Sequence, residues 1–113
     1  MKKSEIKFNI ELDDSNIPEK ISWEASDSGE SDPKPCKSIM LSIWDHQEKN
    51  TLKIDLWTKD MQLDEMDAHF FQSCMALAES YQRATKYDFV EEEMQEFCKN
   101  LSSKINALEK EKS

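Results

Sequence analysis

The chain predicts an α+β fold: a four-stranded antiparallel sheet of two hairpins, followed by two amphipathic helices packed on one face of it. Three observations carry the prediction. Apolar and polar residues alternate with period two in segments before residue 58. Apolar residues recur every three or four positions after residue 60. All the strand-like segments precede all the helix-like ones, the order of α+β proteins rather than of repeated βαβ units. Residues 1–113 read as one domain, with the sheet over 4–58 and a helical hairpin over 60–109.

Ser4–Asp13, SEIKFNIELD, opens the sheet with Ile6, Phe8, Ile10 and Leu12 to one side and Glu5, Lys7, Asn9 and Glu11 to the other. Asp14, Ser15 and Asn16 are turn formers, because short polar side chains bond nearby backbone and tolerate unusual dihedrals. The returning strand carries Ile17, Ile21, Trp23 and Ala25 inward. Opposing Leu12 to Ile17 sets Phe8 against Ile21 and Ile6 against Trp23, and leaves Glu19 facing Ile10. Pro18 lacks an amide donor, so it belongs on an edge strand or at a strand's first position. Ser26–Pro35, SDSGESDPKP, holds the only glycine and two of the three prolines and predicts a mobile loop. Its Asp27, Glu30 and Asp32 read as a solvated acidic loop, since they lack the pattern of a calcium-binding loop.

Cys36–Thr58 is the plainest hairpin. Ile43 opposite Leu52, Leu41 opposite Ile54 and Ile39 opposite Leu56 bring every inward residue against another, and a slip of one residue would turn a whole apolar row to water. The outward rows are Ser38, Met40, Ser42, Trp44 and Thr51, Lys53, Asp55, Trp57. Two tryptophans and a methionine pointing away from the core have two readings. A helix end or the 26–35 loop covers them, or they form a protein-binding face, where Trp and Met are enriched. Met40, Trp44, Lys53, Asp55 and Trp57 are therefore the candidate partner-binding residues.

Asp60 is the expected cap of the first helix, whose stripe runs Leu63, Met66, Phe70, Cys74, Leu77, Tyr81, Ala84, widened by Phe71, Met75 and Ala78, to about Lys86. Asp88 with Glu91 predicts a capping box for the second. Its stripe is Val90, Met94, Phe97, Leu101, Ile105 and Leu108. Glu91–Glu93 at its start and Lys104, Lys110 and Lys112 near its end complement the helix dipole.

Composition bounds the function. The chain has 24 acidic and 15 basic residues, and Arg83 is its one arginine. A net charge of −9 argues against nucleic acid, which needs cations against phosphates, and against an anionic membrane surface. No apolar run approaches the ~20 residues of a membrane span. The basic start, MKKSEIK, has no apolar stretch behind it, so a cytoplasmic location is expected. Cys36, Cys74 and Cys98 have no CxxC spacing, and Cys74 and Cys98 fall on helical stripes as small hydrophobes. His46 and His69 have no ligand spacing with them, so no metal is expected. A single glycine excludes the dinucleotide fingerprint, the phosphate loop and the nucleophile elbow, each of which needs at least two. The acidic pairs sit at helix starts, where the dipole explains them. The expectation is a protein without catalytic residues or cofactor.

The segments SEIKFNIELD, IPEKISWEASDSGE, IMLSIWD, EKNTLKIDLWTKDM and DEM, with QRAT and EEMQEFC in the helices, resemble the gliding-motility-associated protein GldC family of Bacteroidota. The resemblance covers most of residues 4–66 and continues more loosely through the helices; residues 31–37 depart from it. It implies a small cytoplasmic, non-catalytic accessory or adaptor protein, peripheral to the inner-membrane gliding and secretion apparatus and acting through protein–protein contact. It supplies no active-site residues. The order of four strands and two helices is also similar to the export chaperone SecB, which implies the alternative of a chaperone binding unfolded secreted clients. Apolar outer residues on a half-open sheet further predict self-association, a symmetric homodimer by default or a higher oligomer.

Overall fold

The computed structural model describes residues 1–27 and 32–112. The centre of the predicted mobile loop, with Gly29 and Glu30, lies outside the described residues. The chain forms two compact units, Met1–Gln62 and Leu63–Ser113. The first holds β1 (Ile6–Leu12), β2 (Pro18–Ala25), β3 (Lys34–Cys36), β4 (Ser38–Trp44) and β5 (Thr51–Trp57); the second holds α1 (Leu63–Thr85) and α2 (Val90–Lys112). The class is α+β, strands first and helices after.

The strands divide between two sheets, one of order β1-β2-β3 and one of β4-β5, rather than forming the single four-stranded sheet expected. The cause is β3. Lys34-Pro35-Cys36, expected as the end of the loop, pairs antiparallel with β2 through Trp23↔Lys34, Ser22↔Pro35 and Ile21↔Cys36. That takes the edge of β2 left open by β1. Three residues that include a proline show no alternation, so the pattern conceals this strand, and Pro35 suits an edge because it has no N–H to donate. The Lys34 ammonium lies 5.4 Å from the Trp23 ring centroid, a cation–π contact across the same pair. Pro18 is the first residue of β2, one of its two expected places, although β2 itself is central.

The first hairpin also differs in register. Ile6 pairs with Ala25, Phe8 with Trp23 and Ile10 with Ile21; a bulge after Glu11 then brings Leu12 against Pro18. Glu19 falls into the bulge instead of facing Ile10, so the extra residue is absorbed without burying a charge. The reason lies in the turn. The Asp13 carboxylate accepts the amides of Ser15 (2.8 Å) and Ile17 (3.0 Å), and the Asp13 amide donates to the Ile17 carbonyl (2.9 Å). Asn16 supplies the left-handed residue at φ 65°. The loop is thus closed at Asp13 and Ile17, and pairing starts one step further along. The outer rows match polar to polar: Lys7 with Glu24, Asn9 with Ser22, Glu11 with Lys20.

In the second hairpin all three predicted apolar pairs are present, Ile43↔Leu52, Leu41↔Ile54 and Ile39↔Leu56. Its connection closes with the Asp45 amide donating to Asn50 (2.9 Å), the Asp45 carboxylate accepting Glu48 N–H (2.6 Å), and Lys49 left-handed at φ 53°. Residues just past β5 stitch the two sheets together. Thr58 N–H donates to Lys37 O (2.8 Å), Lys59 N–H to Pro18 O (3.3 Å), and Lys59 Nζ meets the Asp13 carboxylate at 3.0 Å.

In the helical unit α1 and α2 occupy the predicted stretches, but the caps differ. Asp60 lies three residues before α1, and its carboxylate accepts the Thr58 hydroxyl instead of a helix amide. At the start of α2 the Glu91 amide donates to Gln82 Oε1 of α1 at 2.9 Å. A side chain from the neighbouring helix thus satisfies the terminal donor that the Asp88 box was expected to engage. The α1 stripe is also turned. Phe71, Cys74, Met75 and Ala78 are half-buried or buried, whereas Leu63, Phe70, Leu77 and Tyr81 are exposed.

Candidate functional site

Strand geometry puts residues i, i+2 and i+4 on one face, and the β4–β5 pairing sets the two outer rows side by side. From the open end to the turn, the cross-strand pairs of that face are Ser38–Trp57, Met40–Asp55, Ser42–Lys53 and Trp44–Thr51. All five predicted residues therefore share one face of one ribbon. They do not form one cluster. Trp57 is at the open end and Trp44 at the turn end, six residues away, or roughly 20 Å along the strand. Between them Lys53 Nζ and Asp55 Oδ2 approach to 3.5 Å. This couple neutralises itself and leaves the face without net charge between the indoles.

Exposure bears on the two readings of this face. Trp44 is 67 % exposed, Trp57 51 % and Met40 40 %, so among the described residues the aromatic surface stays open. A large aromatic on a polar face costs solubility unless something meets it. The open end of the ribbon is the more firmly held. Directly after Trp57, the Thr58 amide bonds Lys37 O, its hydroxyl bonds Asp60, and Thr58 itself is 3 % exposed. The Thr58 hydroxyl, and after it the Lys37 ammonium, holds the Asp60 carboxyl below its ordinary pKa. Trp57 thus projects from a pinned backbone, whereas Trp44 borders the connecting turn.

A cleft of about 450 Å³ opens beside this pinned segment. Ile21, Ser22, Pro35 and Cys36 line it with the charged residues Glu11, Glu19, Lys20, Lys37 and Asp60. Burial pushes the Cys36 thiol pKa up, so its reactive thiolate form is disfavoured. No group of three His, Cys, Asp or Glu side chains able to hold a metal ion occurs among the described residues.

One feature of the helical unit escaped the sequence reading. At the corner between the helices the rings of Tyr81, Tyr87 and Phe89 follow one another at 6.2 and 6.1 Å, the last two stacked within 19°, and all three are about half exposed. The signal available was the pair of aromatics in Tyr87-Asp88-Phe89, a connection where small polar residues are usual. No described helix is long and apolar enough to cross a membrane.

A family model described as gliding motility-associated protein GldC-like matches residues 18–107. The match spans β2 to α2 and includes every residue of the β4–β5 face. Neither a curated protein nor a solved structure matches.

Proposed function

The chain belongs to the GldC-like family of gliding motility-associated proteins, and from that footing we propose that it is a non-catalytic accessory protein of the gliding apparatus. It acts there as an adaptor whose docking face is the outer side of β4–β5. The observation that carries this reading is the alignment of Met40, Trp44 and Trp57, each at least 40 % exposed, on one two-stranded ribbon. Exposed tryptophans are the residues whose truncation most often weakens a protein interface. Their separation supports a partner lying along the whole ribbon rather than gripping one end. The Lys53–Asp55 couple between them suits polar contacts at such an interface.

The test is genetic and biochemical. Deleting the gene in a gliding host is expected to impair colony spreading, and wild-type protein to restore it. Trp44→Ala and Trp57→Ala are each expected to weaken capture of the native partner by about 30-fold, the effect of a hot-spot residue worth ~2 kcal/mol. At this separation the two losses should nearly add. Because both side chains are exposed, the unfolding midpoint should barely move. Undiminished partner capture by the folded double variant, or normal spreading of the deletion strain, would overturn the proposal.

A further inference from the structure

Cys74 and Cys98 meet across the helical hairpin, and their meeting is a matter of register. The Glu91 amide bonded to Gln82 Oε1 fixes where α1 and α2 stand level. From there Cys74 is eight residues back along α1 and Cys98 seven residues on along α2. At 1.5 Å per residue these are rises of about 12 and 10.5 Å, so in two antiparallel helices the two cysteines stand at one level to within about one turn. Both residues are half-buried, and both are free thiols. Cys74 lies on the side of α1 that carries half-buried Phe71 and Met75 and buried Ala78, and Cys98 on the side of α2 that carries half-buried Met94 and Leu101. Burial first, and then the neighbouring Cys98 sulfur, raises the Cys74 pKa, which marks the two thiols as neighbours.

We infer that Cys74 and Cys98 form a reversible intrachain disulfide site that locks α1 to α2, with hydrogen peroxide as the oxidant. The chemistry balances in two steps. One thiol loses its proton and attacks a peroxide oxygen; the O–O bond breaks, one water leaves, and the sulfur becomes a sulfenic acid. The second sulfur then attacks the first, the S–O bond breaks, and the departing hydroxide takes the second thiol's proton as another water. Two thiols and one peroxide give one disulfide and two waters. At Cys74 the first step is slow, because its raised pKa leaves little of the thiol ionised. The second is fast, because the partner sulfur already lies alongside. A sulfenic acid in this position is therefore captured before it can be oxidised further. Cys36 belongs to the other unit and is not needed.

The experiment uses the full chain treated with excess hydrogen peroxide, then alkylated and digested without reductant. The expected result is a peptide linking Cys74 to Cys98, a fall from three titratable thiols to one, and an unchanged mass on a denaturing non-reducing gel. Dithiothreitol should restore all three thiols. The oxidised chain should unfold at a higher temperature than the reduced chain, since the link closes a loop in the unfolded state. Cys36→Ser should form the link at the wild-type rate, whereas Cys74→Ser and Cys98→Ser should not form it. Should a serine variant misfold, the wild-type digest decides alone. Sulfinic or sulfonic acid at Cys74 or Cys98, an intermolecular dimer through either, or two persistently free thiols would each overturn the inference.

Discussion

Asp13 acts on two things at once. Its carboxylate accepts the Ile17 and Ser15 amides and pairs with the Lys59 ammonium at 3.0 Å. The Ile17 amide, then Lys59, then the Ser15 amide hold its pKa below the ordinary carboxylate value, and the carboxylate in turn raises that of Lys59. A depressed acid contributes stability above its unfolded pKa and loses it as pH falls through the folded one. A raised lysine contributes below its unfolded pKa and loses it as pH rises through the folded one. The pair therefore supports the fold from about pH 4 to about pH 10 and fails beyond either end. Carboxyl NMR should show Asp13 titrating below the ordinary aspartate value, and Lys59→Ala should move it part of the way back. Most of the depression should survive in that variant, because the largest cause is a backbone amide. The other exposed ion pairs, such as Lys7–Glu24 at 3.7 Å, should matter little when broken.

At the level of elements, two lysines take a conformation better suited to glycine. Lys86 has φ 69° just after α1, with its amide donating to Gln82 O at 2.8 Å, and Lys49 has φ 53° in the β4–β5 connection. A side chain with a Cβ costs roughly 1 kcal/mol in the left-handed region, less the chain entropy glycine adds to the unfolded state. Lys86→Gly is thus expected to stabilise the protein by about 0.5 kcal/mol, read as a higher urea midpoint. Gln82→Ala should act in the opposite sense by about 1 kcal/mol, since it leaves the Glu91 amide without its cap. An effect of Gln82→Ala confined to α1 would show that the cap does not hold α2. The β4–β5 register was legible from alternation because both strands are seven residues long and one face of each is continuously apolar. The β1–β2 register was not. Apolar alternation is satisfied by slips of two residues, and the choice between them was made by the Asp13 side chain closing the turn.

For the whole molecule, the apolar surface left open is the outstanding property. Among the described residues the buried hydrophobic side chains are Ile21, Ile39 and Ala78, while Ile43, Leu52 and Ile54 of the second hairpin are nearly half exposed. Leu63, Leu77, Phe97 and Leu108 are at least half exposed in the helical unit. Association would bury such surface at about 25 cal/mol per Å² before its entropic costs are met. We therefore expect a homodimer, whose mass by light scattering is twice 13.2 kDa and falls on dilution. A 13.2 kDa species at the highest soluble concentration would contradict this. If the dimer uses the β4–β5 face, Trp44→Ala should dissociate it; if the face is reserved for the motility partner, the dimer should persist.

By itself the sequence determined the α+β order, the extent of both helices to within a few residues, the β4–β5 register and the shared face of Met40, Trp44, Lys53, Asp55 and Trp57. All of these follow from local periodicity, which a chain carries in its own spacing. Only the tertiary structure decided that Lys34–Cys36 claims the free edge of β2 and splits the strands into two sheets, that Gln82 caps α2, and that Cys74 stands level with Cys98. Those depend on which distant segments meet. A three-residue strand with a proline, or a thiol on an apolar stripe, looks the same in sequence whatever lies across from it.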